Sequence, residues 1–195
     1  MTDSPDNSKV LNSRRILIGL SGGIACYKMA TLVSRLTQAG AEVTVLMTEA
    51  ATKFVTPLTF QALSGRPVYT NQWSHIESQD PQHIALARAA DLMIIAPCTM
   101  DMLARLAHGH ANDVVCLIAS ALDLKRQPII LAPSMNETMY QQPSTQRNLD
   151  QLRNDGYVIL DPESGWQACR TVGVGRMVEP EAILSHIVEN ISKLT

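Results

Sequence analysis

Three places along the chain carry groups suited to chemistry. Ser21-Gly22-Gly23-Ile24-Ala25 follows an apolar run and opens an amphipathic one, so its glycines expose backbone N–H groups at a helix start, where the dipole favours a phosphate. It has neither the spacing of a G-x-G-x-x-G turn nor the Gly-Lys-Ser/Thr of a P-loop, which disfavours classical NAD or ATP binding. A tight turn that needs glycine is the competing reading. Cys169 sits in Gly165-Trp166-Gln167-Ala168-Cys169-Arg170, with Gly173-Val174-Gly175-Arg176-Met177 behind it. A cysteine on a glycine-rich flap beside two arginines is the setting of a reactive thiol. The inert, buried alternative suits Cys26 and Cys116 better, because both lie in apolar helical stretches. His83, between Pro81 and the apolar Ile84, Leu86 and Ala87, stands at a helix start; there it serves as general base or hydrogen-bond partner, or is a structural or exposed side chain.

Metal chemistry has less behind it. The cysteines Cys26, Cys98, Cys116 and Cys169 are scattered and form no CxxC pair, which disfavours both disulfides and a zinc site. His108 and His110 make an H-x-H with no second ligand pair nearby, so no metal is expected.

These groups need a scaffold, and the apolar runs supply one. Residues 16–20 are a continuous apolar stretch and Val43-Thr44-Val45-Leu46-Met47 reads as a second buried strand, the two separated by Met29, Leu32, Val33 and Leu36 at helical spacing and by Gly40 at a helix C-terminus; together they read as a βαβ unit. The runs 92–97 and 128–133, each ended by proline, read as the fourth and fifth strands. Helical segments are expected over 102–107, 114–122 and 146–154, a short strand over 158–160, and a closing helix over Pro180–Ser192 with proline at its first position. Apolar strands alternating with helices predict an α/β fold: a three-layer doubly wound parallel sheet, Rossmann-like or flavodoxin-like, in a single domain. Ligands in such folds bind at the carboxyl ends of the strands. Ser21-Gly22-Gly23, Thr48, Pro97-Cys98-Thr99 and Pro133-Ser134-Met135-Asn136 all fall there. The irregular segments 71–82 and 161–177 read as functional lids, with a plain surface excursion as the competing reading.

Composition closes off other classes. The chain has 195 residues, 16 Lys plus Arg against 18 Asp plus Glu, and 46% hydrophobic residues, an ordinary globular balance. Without a basic block it lacks the electrostatic footprint for nucleic acid or an anionic membrane surface. No run is long enough to span a membrane, and residues 1–13 are polar and mixed in charge, so a cytoplasmic protein is expected. Residues 1–13 read as a disordered polar tail and 14–195 as the domain.

Five segments together match a known pattern: Gly22-Gly23-Ile24-Ala25 with Tyr27-Lys28; His83-Ile84 followed by Ala90-Asp91; Ala96-Pro97-Cys98-Thr99-Met100-Asp101; Pro133-Ser134-Met135-Asn136 with Met139-Tyr140; and Ala168-Cys169 with Gly173-Val174-Gly175-Arg176-Met177. Over residues 15–191 the chain resembles the homo-oligomeric flavin-containing cysteine decarboxylases. The resemblance implies an FMN cofactor held by Ser21, Gly22, Gly23, Ile24, Ala25, Thr48, Phe54, Pro97, Cys98, Thr99 and Asp113. It implies His83, Asn136 and Cys169 as catalytic residues, Asn136 holding the substrate carboxylate and Cys169 completing turnover as an acid, with Met135, Ala168, Arg176 and Met177 also around the substrate.

The nearest branch acts on 4'-phosphopantothenoylcysteine in coenzyme A biosynthesis, through a thioaldehyde and an enethiolate. The resemblance implies a trimer, or a trimer-based dodecamer, with flavin at a subunit interface, and a phosphopantothenate-cysteine ligase as a possible separate partner. Alternatives are a peptidyl-cysteine decarboxylase of the lantibiotic type and a non-catalytic flavin-binding regulatory subunit. A flavin prenyltransferase shares the fold class but not the motif at 133–136. Two positions depart from the pattern. Asp101 stands where Asn is frequent, and Arg170 where Gly is usual, a place at which glycine adopts φ > 0 at less cost.

Overall fold

The apolar runs are strands, and all of them pair in parallel. β1 (Arg15–Leu20), β2 (Glu42–Met47), β3 (Val68–Tyr69), β4 (Leu92–Cys98), β5 (Ile129–Pro133) and β6 (Val158–Ile159) form one sheet in the order β3-β2-β1-β4-β5-β6. The computed structural model describes residues 7–73 and 81–194. This strand order is the doubly wound Rossmann one, and it reverses direction between β1 and β4, so a crevice opens beyond their carboxyl ends. Ser21 follows β1 there and Thr99 follows β4, as the register Ile16↔Leu92 through Gly19↔Ile95 requires.

Alternation along the strands divides the core into two layers. Ile16, Ile18 and Leu20 point to one face, where they meet Leu32 and Leu36 of α2 (Met29–Gln38) and Ile183 and Ile187 of α9 (Pro180–Ser192). Phe60 of α3 (Pro57–Ser64) and Leu11 of α1 (Asn7–Leu11) join the same layer. Leu17, Met93 and Ile95 point to the other face, against Ala87 of α4 (Gln82–Ala89), Leu103 and Leu106 of α5 (Met100–Ala107), Val115 of α6 (Val114–Ala119) and Leu149 of α8 (Pro143–Asp155). Each such aliphatic side chain removed from water contributes roughly 1.5–3 kcal/mol. Gly19 lets α6 lie close to the sheet, since a Cβ there would stand 2.7 Å from Val115 Cγ1.

Several expectations are corrected. The stretch 7–13, read as part of a disordered tail, contains α1, and Leu11 is fully buried; one apolar anchor packed near α9 orders it, a tertiary effect without a local signal. Residues 1–6 lie outside the described residues, as does 74–80 of the expected lid at 71–82. The segment 161–177 is not irregular: β7 (Glu163–Trp166) and β8 (Val172–Arg176) form an antiparallel hairpin. α5 begins two residues earlier than expected, at Met100, because Thr99 caps it. α6 ends at Ala119 rather than 122, and α8 runs Pro143–Asp155 rather than 146–154. A short helix not expected from the sequence, α7 (Glu137–Tyr140), follows β5. Gly40 takes φ +87° after α2, the left-handed conformation expected of it.

Candidate active site

The crevice is a cavity of about 1470 Å³, larger than the roughly 300–1,000 Å³ of a usual small-molecule pocket and roomy enough for a cofactor and a substrate side by side. At its floor, Gly22 and Gly23 lead into a 3-10 turn, Ile24–Lys28, that continues as α2. Gly23 is extended and offers no side-chain cap, so the N–H groups of Ile24 and Ala25 are left for an acceptor in the cavity. Gly22 is required by packing, because a Cβ there would collide with Ala50 Cβ.

Ser21 sets the distance between the two central loops. It is buried, and its Oγ donates to the Pro97 carbonyl oxygen at 2.7 Å while accepting the Thr99 N–H at 2.9 Å. Its hydroxyl therefore ties the end of β1 to the end of β4. Thr99 caps α5 through Met102 N–H, and Thr48 Oγ1 accepts the Ala51 N–H at 3.2 Å beyond β2.

Asp113 caps α6: its Oδ1 accepts the N–H groups of Val115 and Cys116, both at 2.9 Å. Its other oxygen lies 3.4 Å from Arg105, whose guanidinium also reaches Asp101 and Asn112, each at 2.7 Å. All four residues line the cavity. Asp101, the departure from the pattern noted above, thus forms an i,i+4 ion pair with Arg105 on α5.

Asn136 caps α7, and its Oδ1 accepts the Met139 N–H at 2.8 Å. That bond fixes the side-chain amide so that Nδ2, which has no partner among the described residues, remains as the donor. The hairpin carrying Cys169 is joined to this loop. Met135 N–H donates to the Gly175 carbonyl oxygen at 3.0 Å, and Val174 N–H donates to Glu137 Oε1 at 3.2 Å. The hairpin tip is closed by Arg170 N–H to Gln167 O at 2.9 Å and Gln167 N–H to Thr171 O at 2.8 Å. This is a three-residue connection, a turn followed by a left-handed residue; Arg170 is that residue, at φ +67°. Cys169 is exposed, and its Sγ lies 3.0 Å from Thr171 Oγ1.

A fourth wall carries charge. Glu179 Oε1 accepts from Lys28 Nζ at 2.8 Å and from Arg176 at 2.6 Å, and the Lys28 contact holds the Glu179 carboxyl below the usual carboxylate range. Arg176 Nε is buried with no partner among the described residues, although the side chain lines the cavity. An orphaned donor in a cavity wall fits a ligand that brings an acceptor.

Most of the sequence-predicted residues converge. Ser21 to Ala25, Thr48, Thr99, Asp113, Met135, Asn136, Ala168, Cys169, Arg176 and Met177 all line the one cavity. Four do not. Pro97 and Cys98 belong to β4, which runs on through Cys98, and strand alternation turns Cys98 into the layer of α5 and α6; burial there pushes its thiol well up. Phe54 is half-exposed outside the lining. His83, on the first turn of α4, is also absent from it. Sequence reasoning passed over Arg105, Gln167 and the Lys28–Glu179 pair. Only Asp101 and Arg105 had a local signal, their four-residue spacing; Lys28 and Glu179 are 151 residues apart.

Relatives share this architecture. The chain is 46% identical over 176 residues to the coenzyme A biosynthesis bifunctional protein CoaBC of Vibrio cholerae, a match covering 90% of this chain and 43% of that protein. It thus spans less than half the length of that relative. Among solved structures, a cysteine-to-serine mutant of PPC decarboxylase complexed with pantothenoylaminoethenethiol superposes with a TM-score of 0.80 at 29% identity, over 90% of this chain and 97% of the other. The FMN-dependent cysteine decarboxylase SpaF gives 0.80 at 29% identity, over 93% and 99%. The family described as Flavoprotein matches residues 4–192, and the chain belongs to that family.

Proposed function

We propose that the chain is an FMN-dependent decarboxylase that converts 4'-phosphopantothenoylcysteine to 4'-phosphopantetheine in coenzyme A biosynthesis. The observation that carries this reading is the joint between the Asn136 loop and the Cys169 hairpin, which brings a neutral amide donor and a thiol to one cavity. The cavity's volume, its uncapped N–H groups at Ile24 and Ala25 and its orphaned Arg176 Nε fit a phosphate-bearing cofactor and an anionic substrate. Ser21 to Ala25, Thr48, Thr99 and Asp113 are the residues that would hold FMN.

A carboxylate beside an amide nitrogen has nowhere to leave its electrons. When bound, FMN would supply the missing two-electron sink, and because the chemistry is redox-neutral over one turnover no external oxidant would be consumed. Asn136 donates Nδ2–H to the substrate carboxylate and holds the scissile bond in line for overlap. Its amide is neutral, so it orients the carboxylate without a full charge that would favour the ground state. Cys169 donates its proton to the enethiolate carbon: the S–H bond breaks as the C–H bond forms, and solvent restores the thiol.

We read the working form as a homotrimer, or a trimer-based dodecamer, in the cytoplasm. His83 and Phe54, held off the cavity of their own chain, would then serve the site of a neighbouring copy. The exposed Ile24, Tyr27, Trp73 and Trp166 around the cavity support a covered rim. The ligase activity belongs either to a further domain or to a separate chain.

The test is to load the protein with FMN, add 4'-phosphopantothenoylcysteine and weigh the products. Loss of CO2 alone is the expected result. Loss of CO2 plus two hydrogens would favour the peptidyl-cysteine type of chemistry, and a flavin-loaded protein that makes no product would favour a regulatory subunit.

A further inference from the structure

Gln167 is the buried polar side chain of the Cys169 hairpin, with 7% of its surface exposed. Its Nε2 donates across the hairpin to the Gly173 carbonyl oxygen at 3.3 Å. Its Oε1 faces two donors, the Glu137 N–H at 3.4 Å and the Cys169 thiol at 3.5 Å. The amide has only one workable orientation, because a flip would set its NH2 against the Glu137 N–H and its oxygen against the Gly173 carbonyl. Gly175 keeps this space open: a Cβ there would stand 3.0 Å from Gln167 Nε2. Thr171 Oγ1 approaches the Cys169 sulfur separately, at 3.0 Å.

We infer that Gln167 is a positioning residue for the proton of Cys169: its fixed carbonyl oxygen accepts the S–H and holds the thiol in one rotamer beside the loop that carries Asn136. The contact stands on the geometry; its consequence for product rests on the decarboxylase reading above. The loop itself keeps the Asn136 cap and the Met135–Gly175 bond without Gln167. Loss of Gln167 therefore touches proton return from Cys169 more than loss of CO2.

Two nearly isosteric variants test the contact in opposite directions. Cys26, Cys98 and Cys116 are buried, so alkylation by iodoacetamide at a fixed pH reads Cys169. Gln167→Met removes the acceptor that holds the sulfur against the hairpin, so the side chain is released into further rotamers and alkylation is expected to speed up about threefold. Gln167→Glu sets a negative charge against the sulfur, and alkylation is expected to slow about tenfold. A rate unchanged in both variants would overturn the contact, whether or not the preparation turns over substrate. In a single turnover of FMN-loaded protein, Gln167→Met should release an enethiol lighter than the normal product by two hydrogens, while CO2 forms within about threefold of the wild-type rate. Equal slowing of CO2 loss and proton return would overturn the positioning role and leave a structural one. A wild-type protein that makes no product would overturn the decarboxylase reading instead.

Discussion

One backbone hydrogen bond, from the Met135 N–H to the Gly175 carbonyl oxygen at 3.0 Å, joins the loop that bears Asn136 to the strand that leads out of the Cys169 turn. Gly175 makes the bond possible. It sits at φ +141°, and a Cβ there would run into the Met135 carbonyl oxygen. The hairpin is thus fastened at its base to the loop that carries Asn136.

Gly175→Ala should separate the two elements. A displacement of the order of 1 Å between reacting groups costs up to about a hundredfold in rate, so decarboxylation is expected to fall by roughly ten- to a hundredfold. Flavin absorbance should remain, since Gly22, Gly23 and Thr99 are untouched. Wild-type kinetics in this variant would remove the joint from the mechanism.

Asn136→Asp isolates charge from structure. Asp caps a helix about as well as Asn, so α7 should persist and thermal stability should stay within about 0.5 kcal/mol. The new carboxylate would repel the substrate carboxylate, and decarboxylation should be abolished with flavin retained. Full activity would refute the donor role of Nδ2. Asn136→Ala is the complementary change, which loses the cap and about 1 kcal/mol with it.

Legibility in the sequence followed the physics of each element. β1, β2, β4 and β5 are buried on both faces, so β1, β4 and β5 carry unbroken apolar runs and β2 one interrupted only by Thr44. β3 and β6 have two residues each, too few for any period. The β7–β8 hairpin was hidden because its strands are glycine-rich and mostly solvent-facing, and what holds it is a set of bonds to residues 135–137. The cavity's floor was legible because glycine and serine interrupt apolar runs at strand ends. Cys98 was misplaced for a related reason: sequence marks where a strand ends only to within a residue or two, and one residue decides between cavity and core.

Arg170→Gly should tighten the hairpin. A left-handed backbone costs an L-residue roughly 1–2 kcal/mol, whereas glycine adds only about 0.4–1 kcal/mol of unfolded-chain entropy. The net gain, about 0.5 kcal/mol locally, should raise the protection factors of the Gln167 amide and of the amide at position 170 about twofold, since these N–H groups close the turn. Arg170→Ala keeps the left-handed cost and should show no such protection. Equal protection in both variants would assign the effect to the guanidinium.

The last prediction concerns acid. Lys28 donates to Glu179, and Arg176 adds its charge, so the folded carboxyl titrates below its unfolded value. A carboxyl with a lowered folded pKa stabilises the protein above the unfolded value, about 4.3, and that contribution disappears as pH falls through the folded value. Glu179→Gln abolishes this term, so its urea midpoint should lie below wild type at neutral pH. The gap should narrow as pH drops through the carboxylate range. It should be modest, because the Glu179 side chain is 42% exposed and solvent screens the pair. A gap that stays constant down to acid pH would mean that Glu179 acts through packing or a neutral hydrogen bond, and that the Lys28 charge contributes nothing to holding this wall of the cavity.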